Sequence, residues 1–563
     1  MTPAGDAERP GPFLASAILT GIALALFAVR LSAPGNLLDN EYRVGARVLD
    51  ALQNHHWLCP VDSIGNVDKP PMLTWLAAAA SLPSGRVTAF TLYLPTALAT
   101  LAVALLLVVA GRRELGGRAG FLAAFGYLLS DVGARQMATA RFDGLFALTV
   151  MLTAIAAFDA WMRGDGWLWF WLAAAAATLT KGPLGPFLAA LGFIAVVWER
   201  RSGTPWPLRG SQAPGLVVYL LLSVGWFALA YRQVGPHLVD NLVYGEFIGH
   251  VVEDSPGRRF LNPIVDFLTN FAPWSILTVV GLARICRTPA TDHRTRRFER
   301  FLFCWFVGGL LVFCVSPHNP SRLMYPVIPA AALIAGRELD RLTRRWSGTA
   351  IVRGAGAAAL IALAVFTLQY QRLEPKKPAI RQTAAIQSLV RTVRARVGDA
   401  FPLTYVPDTP YAVQLAFNTL RETVSYAEAA ALLRGETPVF VVVPNAPRLR
   451  RLLGADAGPL YEVASVRDGN APFLSIVSNH PTLEWVDSLT MQTGPLVVQL
   501  DGVRLLRTTA TEVVLSRGTR GGAATVLNAS ARPQRLRLLF DGATGGHRDG
   551  TLAAGESWRV EVP

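Results

Sequence analysis

Two carboxylates, Asp39 and Glu41, sit in the stretch LSAPGNLLDNEYR that follows the first long apolar run. A carboxylate at the end of a membrane span, under a water-filled cavity, can take a proton from an incoming hydroxyl or ligate a divalent ion. Acids near a helix N-terminus are also favoured by the dipole alone, and by themselves these two read more simply that way. VDKPPMLTW shifts the balance. Lys69 stands before Pro70 and Pro71, whose fixed backbone angles stiffen the approach to a helix and set where the lysine points. Such a lysine is a natural counter-ion for phosphate; the plain alternative is a snorkelling side chain. In ATARFDGLFALTVML, Asp143 opens an apolar helix with Arg141 two residues earlier, and a helix-start acid explains Asp143 equally well. LTKGPLGPF places Lys181 in a Gly-Pro turn between two apolar segments, a poor place for a solvated lysine. SPHNPSRLMYPVIP sets Arg322 and Tyr325 at the mouth of another span, and Arg322 and Lys181 both suit a phosphate or diphosphate.

The elements that must hold these residues are membrane helices. The chain has 563 residues, 52% of them hydrophobic and 16% charged, and the apolar ones fall in blocks of spanning length up to Tyr370. Apolar runs lie near 13–33, 87–110, 119–134, 144–162, 167–180, 184–199, 214–232, 263–284, 300–316, 323–337 and 349–370, which predicts about eleven spans. The N-terminus lacks a basic n-region with a cleavage site, so the first run reads as a retained span.

The net charge of +14 comes largely from short arginine clusters between apolar runs, a signature of topology rather than of a nucleic-acid groove. Arg112, Arg113 and Arg118, then Arg200, Arg201 and Arg209, then Arg284 to Arg300, then Arg337 to Arg345 mark alternate loops as cytoplasmic. The loops at 34–86, 135–143, 181–183, 233–262 and 317–322 then face outward, with everything after Tyr370. Every candidate named above lies in those loops or at their ends, together with Asp68, Glu246, His250, Glu253, Asp254, Arg258, Arg259 and His318. Acids, bases and lysines gathered on one face suggest a site at the outer membrane surface. Neither zinc nor disulfide spacing appears among the four cysteines.

The composition divides the chain into a transmembrane domain over 1–370, an α/β domain over 371–480 and a β-sandwich-like module over 481–563. The expected fold class is mainly α: a polytopic helical membrane protein with a C-terminal extracytoplasmic α/β domain followed by a β-rich module. No catalytic constellation is visible after residue 370, and Asn528-Ala-Ser530 is a glycosylation sequon of a kind that often occurs by chance.

In order and spacing, Asp39, Lys69-Pro70-Pro71, Asp143, Thr180-Lys181-Gly182-Pro183 and the segment from Arg322 to Pro329 resemble one family. It is the GT-C type of polyprenyl-phosphate-dependent membrane glycosyltransferases, the group of the lipid A aminoarabinose transferase and the protein O-mannosyltransferases. The likeness covers roughly residues 10–370. The family usually has Asp and Glu adjacent, whereas here Asn40 separates Asp39 from Glu41, so either could hold the catalytic place.

The resemblance implies inverting transfer of a hexose or pentose from an undecaprenyl-phosphate-like donor at the outer face of the bacterial inner membrane. The acceptor would be an envelope lipid, a glycan or a protein. Asp39, or else Glu41, would be the base, and Lys69, Lys181, Arg322 and Tyr325 would hold the donor phosphate. Asp68, Asp143 and Arg141 would position the acceptor, and a divalent cation is the one cofactor left open. The rival reading is a transporter or flippase of a lipid-linked or anionic substrate; charge clustered at one face and the lack of a visible inverted repeat speak against it.

Overall fold

The computed structural model describes residues 12–34, 37, 39–62, 65–67, 69–200, 209–242, 260–316, 321–397, 403–420, 423–435, 439–454, 461–468, 471–479, 489–493, 496–501, 503–508, 512–516, 522–541 and 547–562. The chain forms two compact units, residues 1–380 and 381–563.

In the first unit, every apolar run read from the sequence is helical. The helices are α1 (Pro12–Leu31), α2 (Asp39–Gln53), α3 (Met72–Ser81), α4 (Ala89–Glu114), α5 (Gly117–Leu129), α6 (Asp131–Gln136), α7 (Phe142–Arg163), α8 (Trp167–Lys181), α9 (Leu184–Ala190) and α10 (Ile194–Glu199). They continue with α11 (Ala213–Tyr219), α12 (Gly225–Val234), α13 (His237–Val239), α14 (Asn262–Asn270), α15 (Trp274–Arg287), α16 (His293–Val315), α17 (Ile328–Leu342) and α18 (Gly348–Leu368). Among the described residues six helices are long and apolar enough to cross a membrane, or seven if α14 and α15, bent by 116°, count as one. The difference from eleven lies in helices that stop short. Ser130 ends α5 after 13 residues, because its hydroxyl accepts from the Gly133 N–H at 3.1 Å and starts α6 instead. Helices α8 and α17 have only 15 residues each.

The core of this unit is aromatic and closely packed. Phe158 stands 4.9 Å from Phe298 and 5.6 Å from Phe301, ring centre to ring centre. Helices α4 and α5 meet at Gly111 and Gly120, where a Cβ on Gly111 would fall 2.3 Å from the Gly120 Cα.

One end of the bundle is tied by buried glutamates and arginines. Glu114 accepts from Arg113 Nε at 2.6 Å and from Arg294 at 2.7 and 2.8 Å, while Arg113 also forks onto Asp159. Glu199 pairs with Arg296 and Arg300, Glu299 with Arg337, and Glu338 with Arg284, Arg337 and Arg341. The four glutamates are all buried. Arginines that read as topology signals thus also cancel charge inside the fold.

The second unit begins with a four-stranded sheet of β1 (Leu403–Tyr405), β2 (Phe440–Val443), β3 (Tyr461–Asp468) and β4 (Ala471–Ser478) in the order β1-β2-β4-β3. Within this sheet β1 pairs β2 in parallel, while β2–β4 and β3–β4 are antiparallel. The strands β5 (Leu489–Thr493), β6 (Leu496–Asp501), β7 (Arg504–Thr508), β8 (Glu512–Ser516), β9 (Gly522–Asn528), β10 (Gln534–Asp541), β11 (His547–Leu552) and β12 (Ser557–Val562) form two more sheets. Their orders are β11-β10-β8-β7 and β12-β9-β6-β5. Val498, Leu515, Val526 and Leu538, drawn from both sheets, share one core.

Candidate active site

At the opposite end of the bundle from the glutamates, the ends of several helices and the 3-10 segment Ser321–Val327 converge. Helix α7 starts there because Arg141 takes an extended N-cap conformation, and its carbonyl accepts from the Thr96 hydroxyl of α4 at 3.3 Å. Helix α8 ends there at Lys181, followed by Gly182 at φ +90°, a backbone that glycine tolerates. The chain can therefore turn straight into α9, which leaves the lysine on the rim.

Asp143, in the first turn of α7, is ion-paired with Lys181. The two side chains are 6% and 14% exposed, and the ammonium also lies 5.7 Å from the centre of the Phe146 ring. Glu41, in the first turn of α2, is fully buried and accepts the Ala140 N–H at 3.1 Å, which fixes α2 to the segment leading into α7. Tyr325, buried in the short 3-10 segment Ser321–Val327, stands within electrostatic reach of Asp143 and beside Gln136. The Nε of Arg141 is buried with no hydrogen-bond partner among the described residues.

The remaining candidates are placed by their elements. Asp39 is the first residue of α2. Lys69 is half-buried two residues before Pro71, the N-cap of α3, and α3 packs on α2, α4 and α8. Arg322 is half-buried in the same 3-10 segment as Tyr325, which packs on α7. Asp68 lies outside the described residues, as do Glu246, His250, Glu253, Asp254, Arg258, Arg259 and His318.

The loop after α2 is pinned. Asp50, itself buried, accepts from Asn54 Nδ2 at 2.8 Å, from the Val61 N–H at 2.8 Å and meets His56 Nδ1 at 3.1 Å. Trp226 of α12 donates to the Leu58 carbonyl at 2.9 Å. Cys59, packed with Leu179 and Trp226, has its thiol pushed up to about 12 by burial, against the nearby Arg47 charge. Among the described residues no three His, Cys, Asp or Glu side chains gather as a metal site.

A second group at this end gave no signal in the sequence reading, where Arg30 fell inside the first apolar run. Its guanidinium, 7% exposed, lies 4.7 Å from the Tyr370 ring centre and 5.7 Å from that of Tyr93. An arginine in the last turn of an otherwise apolar helix was the available clue.

The family model for dolichyl-phosphate-mannose-protein mannosyltransferases matches residues 68–226. An undecaprenyl phosphate-alpha-4-amino-4-deoxy-L-arabinose arabinosyl transferase 2 of Pseudomonas fluorescens is 26% identical over 58% of this chain and 60% of its own. Its counterpart in Proteus mirabilis is 26% identical over 56% and 58%. The chain thus spans less than two thirds of the length of these curated relatives. The crystal structure of ArnT from Cupriavidus metallidurans bound to undecaprenyl phosphate superposes with a TM-score of 0.66 at 17% identity, covering 83% of this chain and 98% of that one. Its apo structure gives 0.64, again at 17% identity, over 82% and 97%. Sequence and fold point the same way: the chain is similar to these membrane glycosyltransferases over residues 68–226, and its fold is that of the ArnT structures.

Proposed function

We propose that the protein transfers a sugar from a polyprenyl-phosphate donor to an acceptor at the outer face of the bacterial inner membrane. The acceptor is an envelope lipid, a glycan or a protein. The observation that carries this reading is the convergence of Glu41, Asp143, Lys181 and Tyr325 at one end of the bundle, the end that the arginine-poor loops place outside. The same rule puts residues after 370 on that side, as an α/β domain and a β-rich module.

In an inverting transfer the acceptor oxygen attacks the anomeric carbon, the bond to the phosphate oxygen breaks, and the lipid phosphate leaves with the electron pair. Glu41 is buried and already accepts a backbone N–H, so its carboxylate is poorly placed to take a proton from an incoming acceptor. Residue 39 stands about 200° around the axis of α2 from residue 41, and Asp39 is the base in this reading. Lys69, Lys181 and Arg322, with Tyr325, offset the charge growing on the leaving phosphate. Asp143 keeps Lys181 aimed, and Arg141, whose buried Nε has no hydrogen-bond partner among the described residues, positions the acceptor in this reading.

The test uses detergent-purified protein, a radiolabelled polyprenyl-phosphate sugar and a membrane extract as acceptor. Wild type moves label; Asp39→Asn does not, while Glu41→Gln retains transfer in the fraction that folds. Loss in Glu41→Gln alone reassigns the base. No transfer by wild type, with lipid translocation in vesicles, replaces the transferase by a flippase.

A further inference from the structure

Helix α14 carries three rows of side chains that ask for three different surroundings. Pro263, Phe267 and Phe271 are buried against the bundle, and the Phe267 ring centre stands 4.8 Å from that of Phe306 on α16. Leu261, Val265 and Leu268 form a second row, each between 41% and 56% exposed. Asn262, Asp266 and Asn270 form a third, polar and half-buried. The helical repeat sets the rows about 120° apart around the axis. Water is a poor medium for the second row and hydrocarbon a poor one for the third. A spanning helix would turn the asparagines toward lipid, and a helix in a solvated loop would leave the leucines in water. A helix lying along the boundary between the two gives every row its medium.

The bend points to the same orientation. Helices α14 and α15 are bent by 116°, and α15 runs on to Arg284 and Arg287 at the cytoplasmic side. With α15 at an ordinary span tilt of about 20°, α14 runs close to the membrane plane. Its nine residues cover about 13 Å, well short of a hydrocarbon core of about 30 Å. The helix is a rigid ledge. Ser275, buried in the first turn of α15, donates its hydroxyl to the Leu268 carbonyl at 2.8 Å across the bend. Helix α14 also packs on the 3-10 segment Ser321–Val327, which carries Arg322 and Tyr325.

We propose that α14 is an in-plane helix seated on the outer leaflet through Leu261, Val265 and Leu268, where it holds Arg322 and Tyr325 at the depth of lipid phosphate groups. The second half of this assignment rests on the transferase reading given above. A prenyl chain tethers its phosphate at the headgroup layer, so a cation that neutralises that phosphate as the sugar departs must stand at the same depth. The partner of the exposed row is therefore the bilayer itself.

The experiment places single cysteines in a full-length Cys286→Ser background, since Cys59, Cys304 and Cys314 are buried. Leu261→Cys, Leu268→Cys and Asn270→Cys proteins carry a nitrobenzoxadiazole label in vesicles of phosphatidylethanolamine and phosphatidylglycerol. Quenchers are nitroxide lipids, shallow or deep, and aqueous cobalt. Labels at 261 and 268 should be quenched by the shallow nitroxide to the same degree, while that at 270 answers to cobalt. Positions 261 and 268 lie about 10 Å apart along the axis, so a crossing helix would give them different depths and overturn the proposal. Quenching of all three by cobalt alone, or by the deep nitroxide, overturns it as well.

Transfer kinetics test the second half. Leu268→Glu should raise the KM for a long-chain donor in vesicles about tenfold at little change in kcat, while Leu268→Phe and Asn270→Glu keep wild-type values. A donor with a short, water-soluble prenyl chain in detergent should not distinguish Leu268→Glu from wild type. An equal loss in both assays overturns the depth role, and so does an unchanged KM in vesicles. If Leu268→Glu does not fold, Val265→Gln takes its place with the same expectations. A wild type without transfer defeats the transferase reading, while the quenching still decides where α14 lies.

Discussion

Lys181 and Asp143, 38 positions apart, form one ion pair that closes the last turn of α8 onto the first turn of α7. Helix ends set both partners: the carboxylate sits at the positive end of α7 and the ammonium at the negative end of α8. A phosphate reaching Lys181 must therefore share it with Asp143, so the site holds a lysine already aimed and half-neutralised before any anion arrives.

Breaking that pair from one side should cost more than removing it. Asp143→Asn keeps the shape and strands a largely buried ammonium, which should lower stability by about 3 kcal/mol. Asp143→Asn/Lys181→Met should lose less than the two single changes together. Thermal unfolding of the four proteins in detergent measures the coupling, and strictly additive shifts would show that the pair does not hold the helices together.

The arginines at the other end separate two explanations by chemistry. If they only set topology, any lysine serves as well, because the positive-inside rule counts charge. Arg294, however, reaches Glu114 through two donors, a fork that lysine cannot reproduce. Arg294→Lys should therefore lower the unfolding temperature, while Arg112→Lys, at an exposed position, should leave it unchanged. Equal behaviour of the two would return these arginines to a purely topological role.

These two pairs mark where the sequence is readable. The apolar runs are local patterns, and each is a helix; Lys181 stands out because a Gly-Pro turn between apolar segments is a poor place for a solvated charge. That Lys181 meets Asp143, or that Glu114 meets Arg294 across 180 positions, has no local signature at all. The stop of α5 at Leu129 was hidden for a different reason: hydropathy sees apolar residues on both sides of Ser130, but the hydroxyl cap decides where the helix ends. Arg30 was hidden by the apolar run that surrounds it, since one charge barely alters a window of twenty residues.

Cys59 reports whether the loop after α2 is a fixed wall or a lid. With its thiol pushed up to about 12, almost no thiolate exists at neutral pH, and burial blocks access as well. A maleimide at pH 7.5 should label the exposed Cys286 and spare Cys59 until the protein is unfolded. Raising the pH should increase labelling of Cys59 only as it nears the raised value, because the neutral thiol is the favoured form below it. Peptide mapping by mass spectrometry reads the sites, and prompt labelling of Cys59 in the native protein would mean that the Asp50-pinned loop opens.

The sequon at Asn528 is a last case of a motif whose surroundings give it another meaning. The side chain has no exposed surface; its Nδ2 donates to the carbonyls of Arg532, Leu552 and Ala553 at 2.8–3.1 Å, and its Oδ1 accepts from the Ser530 N–H and hydroxyl. Those bonds tie the end of β9 to the turns after it and after β11, so the amide is spent on the fold and out of reach of a modifying enzyme. Asn528→Ala should destabilise the β-rich module by about 2 kcal/mol, the cost of buried carbonyls left without a donor. Asn528→Asp should be worse, because a carboxylate then faces three carbonyl oxygens and has nothing to donate. Limited trypsin digestion of the full chain, followed at the arginines between residues 504 and 559, should rank cleavage rates Asp above Ala above wild type. An Asn528→Asp protein as resistant as wild type would show that these bonds contribute little to the module, and that the asparagine is free for another use.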